Sequence, residues 1–333
     1  MMTKGRLKQM NDRLLTVAVA LAALTGTAAQ AQTVLKFGHV GDPGSLYEAT
    51  AANFAECVAS KAGGSLEVEV YGSSQLGNDE EMLQKLKLGQ IAFSLPSSIM
   101  SSVSPTFGVF EMPYLIKDRD HMRKVRDEMG GVFVDAAAEK GYRLVGFWEN
   151  GFRHVTNNVR PVNVPADLEG IKLRTPKGEW RVKMFKLYGA NPTPMAFSEV
   201  FTALKTGVID GQENPLAQIT SAKFQEVQKY LSLTGHVYSP AYIATSQKQW
   251  ESWPGEAQTT LADCALEASN FAYDRSAEMD QSLLDVVKEA GVEVNDADKQ
   301  AFIDASRPIY EEFGTQVEGG QKLVEDIQAL AGS

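Results

Sequence analysis

Apolar residues recur along this chain at two spacings. Tyr47, Ala51, Phe54, Ala55 and Val58 lie three and four residues apart, so they share one face of a helix. That helix follows the turn GDPGS and stops at Gly63-Gly64. Leu66 to Val70 alternates apolar with charged residues, which predicts a half-exposed strand. Thr33 to Phe37 reads as a strand before the first helix, and a helix over 79–88 ends at Gly89 before a strand from Gln90 to Leu95. Leu144 to Trp148 and Ile171 to Thr175 read as further strands, the second stopped by Pro176. Val159 to Pro165 holds two prolines and reads as a connector.

Residues 192–215, PTPMAFSEVFTALKTGVIDGQENP, carry a sharper pattern. A short helix is expected, then a buried strand at Val208 and Ile209. The polar group Asp210, Gly211, Gln212, Glu213 and Asn214 follows before Pro215. Part of this stretch echoes an earlier one: EMLQKLKLGQIAF over 81–93 matches EVFTALKTGVIDG over 199–211 at Glu, Leu, Lys, Gly and Ile. In both, a helix ends at a glycine suited to a left-handed cap. From Gly255 to Gly291 no proline or glycine intervenes, so one helix of roughly 35 residues, about 50 Å long, or two shorter helices fit the pattern. Strands alternating with helices predict an α/β fold with largely parallel sheets. The echo and the length point to two α/β lobes with a cleft between them. In such folds ligands sit beyond the C-terminal ends of the strands, often between domains.

The first 31 residues have a different pattern. Lys4, Arg6, Lys8 and Arg13 precede an apolar run from Leu14 to Leu24, and Ala29-Gln30-Ala31 follows as a cleavage signal, so 1–31 reads as a secretory signal peptide. The formal charge is −10, and without the leader it is near −13. That charge argues against nucleic acid and anionic membrane surfaces as partners. Cys57 and Cys264 lie in helical, partly apolar patterns where buried free thiols are common, although export permits a bridge. Two cysteines and four scattered histidines give no metal-ligand spacing, and no cofactor is expected. There is no G-x-S-x-G elbow and no phosphate-binding glycine loop, so catalysis has no positive signal; a secreted hydrolase using cleft carboxylates stays open.

Candidate ligand groups gather near the predicted strand ends. Arg153 in NGFRHVTNN is expected just past the strand ending at Trp148, and Arg174 ends the strand in GIKLRTP. A planar guanidinium binds a carboxylate through two parallel hydrogen bonds, but pairing with a structural acid is the more common fate of an arginine. Asn214 can donate and accept at once, or form a turn before Pro215. Phe197 and Trp148 are candidates for an apolar wall or for the core, and Lys177 for a polar contact or a solvated helix start.

The segments KFGHV, YGSSQLGNDEEML, NGFRHVTNNVRPV, LEGIKLRTP and PTPMAFSEVFTALKTGVIDGQENP together resemble the solute-binding proteins of TRAP (tripartite ATP-independent periplasmic) transporters, the DctP family. The similarity runs from about Leu35 to the C-terminus. The resemblance implies a two-lobed periplasmic binding protein with a long helix spanning both lobes. Lobe 1 would comprise 32–150 with a return over about 240–279, and lobe 2 would comprise 151–239 with about 280–333. It places the carboxylate clamp at Arg174, the second arginine at Arg153, the amide at Asn214 and the aromatic wall at Phe197. Sialate binders carry an Asn where His39-Val40 stands, an acid near Ser97 and a small amide at Lys177, so His39, Ser97 and Lys177 mark where the ligand differs. Glu149, Gln212 and Asn214 would bond the hydroxyls of a sugar acid such as a uronate. Four-carbon dicarboxylates and other hydroxy or keto acids remain alternatives. A monomer in the periplasm is expected, delivering its acid to small and large membrane subunits rather than acting as an enzyme.

Overall fold

The computed structural model describes residues 32–332. The leader predicted over 1–31 lies outside them. Ten strands run in chain order: β1 Thr33–Gly38, β2 Leu66–Tyr71, β3 Phe93–Ser94, β4 Tyr142–Asn157, β5 Lys172–Thr175, β6 Asn191–Pro194, β7 Gly211–Pro215, β8 Tyr230–Leu233, β9 Tyr238–Ser246 and β10 Glu293–Asp296. The main path is β2-β1-β3-β9-β4-β7-β5-β6, with β8 joined to β4 and β10. The outer pairs are parallel, as the βα alternation predicts. The middle is not, because β4 runs antiparallel to β9, β7 and β8.

β4 explains the difference. Only Leu144 to Trp148 is apolar enough to read as a strand, yet the strand is 16 residues long. Its first part pairs with β9 as far as Phe152↔Tyr238. Arg153 to Asn157 then pair with β7 on one side, and Val155 to Asn157 with β8 on the other. One strand thus passes from one half of the fold into the other, and its polar residues are held by partners too distant in sequence to be read from pattern. Bulges lie between Leu144 and Gly146 and between Glu149 and Gly151. Gly151 has φ +117°, which a side chain rarely adopts, and the bulge it sits in re-aims the strand beside the candidate site.

Three other expectations change. Val208 and Ile209 form no strand, and Val208 is 61% exposed. The polar group GQENP is itself β7, and all five of its residues are buried. The strand after Gly89 is confined to Phe93–Ser94. The echo does survive at its glycines, since Gly89 (φ +67°) and Gly207 (φ +73°) both take the left-handed conformation after a helix.

Gly255–Glu289 is a single 35-residue helix. Its buried stripe, from Leu261 through Cys264, Ala265, Ala268, Ala272 and Ser276, is mostly small, so strands can approach closely. Trp148 Nε1 donates to Ala265 O (2.9 Å), Ser269 Oγ donates to Phe147 O, and Ser276 Oγ donates to Glu149 (2.7 Å). The helix packs on Leu46–Lys61, after β1, and on Leu216–Ser221, after β7, so it touches elements of both halves. Cys57 and Cys264 form a disulfide between two of these helices, with Cα atoms 5.6 Å apart, in place of free thiols. Phe37, Phe54, Phe93 and Trp148 cluster at ring distances of 5.5 to 6.0 Å beneath. Burying each such side chain contributes roughly 1.5–3 kcal/mol. No described helix is long and apolar enough to cross a membrane.

Candidate functional site

A cavity of about 600 Å³, counting its mouth, opens where strand ends of both halves meet. Arg153 and Asn214 reach it from the paired strands β4 and β7. Arg174 comes from β5, Phe197 from the turn after β6, and Lys177 from the loop after β5. Tyr47, Asp79, Ser97 and Asn150 close it from the other half. A capping box between Asn78 and Glu81 starts the helix Asp79–Lys87 and fixes Asp79 at its first position.

The two arginines differ in how their charge is used. Arg153 is buried and committed to Glu213, through Nε to Oε2 (2.5 Å) and Nη2 to Oε1 (2.9 Å); Nη2 also donates to Asn214 Oδ1 (3.0 Å). Glu213 also meets Arg181 (2.6 Å) and His236 Nε2 (3.0 Å), and Arg181 meets Glu111 (2.7 Å). Burial opposes the charge on Glu213, but the two guanidiniums hold it ionised well below the usual carboxylate range. Arg174 is equally buried, yet among the described residues its Nε and Nη2 donate only to Met195 O (3.0 and 2.6 Å), and it forms no ion pair. A carbonyl orients the fork without neutralising it. Burial, with Arg153 nearby, pushes Arg174 down to about 9, so it remains cationic at neutral pH. A buried, oriented and uncompensated guanidinium lining a cavity is built to receive an anion.

The remaining polar wall is a relay. Ser97 Oγ donates to Pro240 O (2.7 Å) and accepts from Asn150 Nδ2 (3.2 Å), and Gln218 Nε2 donates to Asn150 Oδ1 (3.4 Å). At the mouth Lys177 Nζ pairs with Glu80, which belongs to the opposite half. Phe197 packs on Phe224 with ring centroids 5.6 Å apart and lends the cavity an apolar side.

Arg153, Arg174, Asn214, Phe197, Lys177 and Ser97 are therefore brought together, and four candidates are not. His39 is buried one layer behind, edge-on to Tyr47 at 6.3 Å, and Val40 takes its place on the wall. Neither ring nitrogen has a well-aligned partner among the described residues, and burial pushes the ring down to about 4 against a weaker pull from the Gly41 backbone, so it stays neutral. Glu149 points away to Arg119 (2.8 Å) and Ser276, because β4 alternates and Asn150 faces the cavity. Gln212 lies behind Asn214, accepting from its Nδ2 (2.6 Å) and donating to Thr156 (2.9 Å). Trp148 belongs to the core. The unanticipated wall residues include Tyr47, Asp79, Glu80, Asn150 and Gln218. Asn78-x-x-Glu81 marks the helix start that carries Asp79, and Asn150 and Gln218 are polar breaks in apolar runs.

The family profile "Bacterial extracellular solute-binding protein, family 7" (DctP) matches residues 37–316. The chain belongs to that family. Its relatives include the 2,3-diketo-L-gulonate-binding periplasmic protein YiaO of Escherichia coli strain K12, 36% identical over 96% of this chain and 100% of that one. Among solved structures, the sugar acid binding protein DctPAm from Advenella mimigardefordensis, in complex with galactonate, superposes with TM-score 0.86 at 32% identity over 90% of this chain and 98% of that one. A TRAP periplasmic solute-binding protein from Sulfurospirillum deleyianum with bound succinate superposes with TM-score 0.85 at 32% identity, over 89% and 98%. As a DctP-family member the protein is a two-lobed solute-binding protein for small organic acids, a carrier component rather than an enzyme.

Proposed function

We propose that this DctP-family protein captures a sugar acid, such as a uronate, in the periplasm and delivers it to the small and large membrane subunits of a TRAP transporter. The observation that carries the reading is Arg174, buried at the cavity and without an acid. The ligand carboxylate completes it, while Asn150, Asn214, Gln218 and Tyr47 offer partners to several hydroxyls. Relatives that bind diketogulonate and galactonate support a polyhydroxy acid. A four-carbon dicarboxylate is the second reading, favoured by the relative with succinate. The lobes divide as 32–150 with about 240–279, and 151–239 with about 280–333, and close around the ligand.

A thermal-shift screen against uronates, aldonates and four-carbon dicarboxylates identifies the ligand, because binding to the folded state alone raises the melting temperature. Truncating one partner of a buried charge pair costs roughly 2–5 kcal/mol, so Arg174→Ala is expected to weaken calorimetric affinity for that ligand by tens to thousands of fold. Arg174→Lys should also fail, since it loses the fork. A lysine variant that binds as tightly as wild type would refute the clamp.

A further inference from the structure

Five charged side chains line the cavity: Arg153, Arg174, Lys177, Asp79 and Glu80. Three of them are already matched, Arg153 by Glu213 and Lys177 by Glu80. That leaves Arg174 and Asp79. Neither is in an ion pair, and the Asp79 carboxylate makes no side-chain hydrogen bond among the described residues. Each nonetheless feels the other's charge, so they face the same space. A ligand carboxylate that takes Arg174 uses the only unmatched cation of the wall. A second carboxylate would find none, and would meet Asp79.

We infer that Asp79 is the charge filter of this site: its carboxylate accepts hydrogen bonds from the hydroxyls of an acid bearing one negative charge and repels an acid bearing two. The inference rests on the sugar-acid reading and narrows it to monoanions. Like charges brought together without solvent are strongly unfavourable, and this repulsion is how a site rejects a ligand of the right shape. The filter depends on ionisation. Burial, against the pull of Arg174, holds Asp79 up to about 7. Its carboxylate is therefore charged at pH 8.5 and largely protonated at pH 6.0, where it can donate to a second carboxylate instead of repelling it. The other groups that face it are shifted away from its range or held in ion pairs. Arg174 on β5 keeps its charge up to about 9. Burial pushes the Tyr47 hydroxyl far up, and His39 behind it down to about 4. Arg153, Lys177 and the neighbouring Glu80 remain in their ion pairs.

The test uses D-glucuronate, a six-carbon polyhydroxy acid with one carboxylate that is mainly a ring in water, and D-glucarate, its relative with two carboxylates and no such ring; the change of preference with pH, which shape does not produce, carries the test. Calorimetry on the wild-type protein at pH 8.5 is expected to show a preference for glucuronate of about thirtyfold or more, shrinking severalfold at pH 6.0, as repulsion of a few kcal/mol requires. Asp79→Asn should bind glucarate at least tenfold more tightly than wild type at pH 8.5, on the order set by the same repulsion, and should lose the pH dependence. The wild-type pH comparison stands by itself if the variant fails to fold. A wild-type preference independent of pH, or one unchanged in Asp79→Asn, would overturn the filter. Glucarate bound as tightly as glucuronate at pH 8.5 would overturn it while leaving the sugar-acid reading intact. Binding of neither acid would remove both.

Discussion

A guanidinium is charged whatever surrounds it, so Arg153 and Arg174 differ only in what the fold sets beside them. Arg153 has Glu213, sixty residues on; Arg174 has a carbonyl. The mirror case is a group that folding denies a charge. His39 is fully buried, has no well-aligned partner at either nitrogen among the described residues, and is pushed down by burial to about 4 from an ordinary 6.5, against a weaker pull from the Gly41 backbone. Between those values the unfolded chain binds a proton that the folded chain refuses, so the His39 contribution to stability is lost as pH falls from 6.5 to 4. Denaturant titrations at pH 7 and pH 4.5 should show His39→Leu losing less stability on acidification than wild type, by on the order of 2 kcal/mol. Equal losses would mean that His39 gains a partner or a proton in the folded protein.

Elements were legible where periodicity was strong and opaque where their residues were polar. The helix at Leu46 follows from spacing, since an apolar stripe needs only a surface to cover, whereas the run from Gly255 fits one helix or two and only the fold shows it to be one. β7 could not be read that way. GQENP is buried because β4 and β5 flank it and its side chains satisfy one another through Arg153, Gln212 and Thr156. The two cysteines show the same limit: spacing marks each as buried, while only the packing of their helices brings them within bonding distance. The bridge closes a loop of 207 residues and restrains the unfolded chain accordingly. Cys57→Ala with Cys264→Ala is expected to lower stability by about 2–5 kcal/mol, the usual range for a native disulfide. Reduced wild type should match the double variant in denaturant midpoint. A double variant as stable as the oxidised protein would show that the bridge is incidental to the packing of these two helices.

At the scale of the molecule, the cavity is walled by residues from both halves, and the Glu80–Lys177 pair joins them across its mouth. That pair is half-exposed, and such pairs contribute only about 0–1 kcal/mol, so it cannot hold the cleft shut unaided. A ligand that bonds Arg174 on one side and Asn150 on the other supplies the difference. Bound ligand should therefore favour a closed form through hinge motion about the crossing strands. Small-angle scattering is expected to give a smaller radius of gyration at saturating ligand than without it. Superimposable profiles would argue for a preformed cleft.

Periodicity alone determined the strand–helix alternation, the unbroken run from Gly255 and the glycine caps of the echoed unit, because these rest on local geometry that neighbouring residues impose. The family's sequence segments were enough to point to Arg174, Arg153, Asn214 and Phe197. Tertiary structure decided what each charge does. Glu149 and Gln212 looked as suited to a hydroxyl as Asn150 does, yet one faces Arg119 and the other supports Asn214, because the bulges and pairing of β4 set which side of the sheet each occupies. Asp79 reaches the site only because its helix begins where β5 ends in space. Ionisation, pairing and facing depend on groups far apart in the chain, and their meeting is a property of the fold.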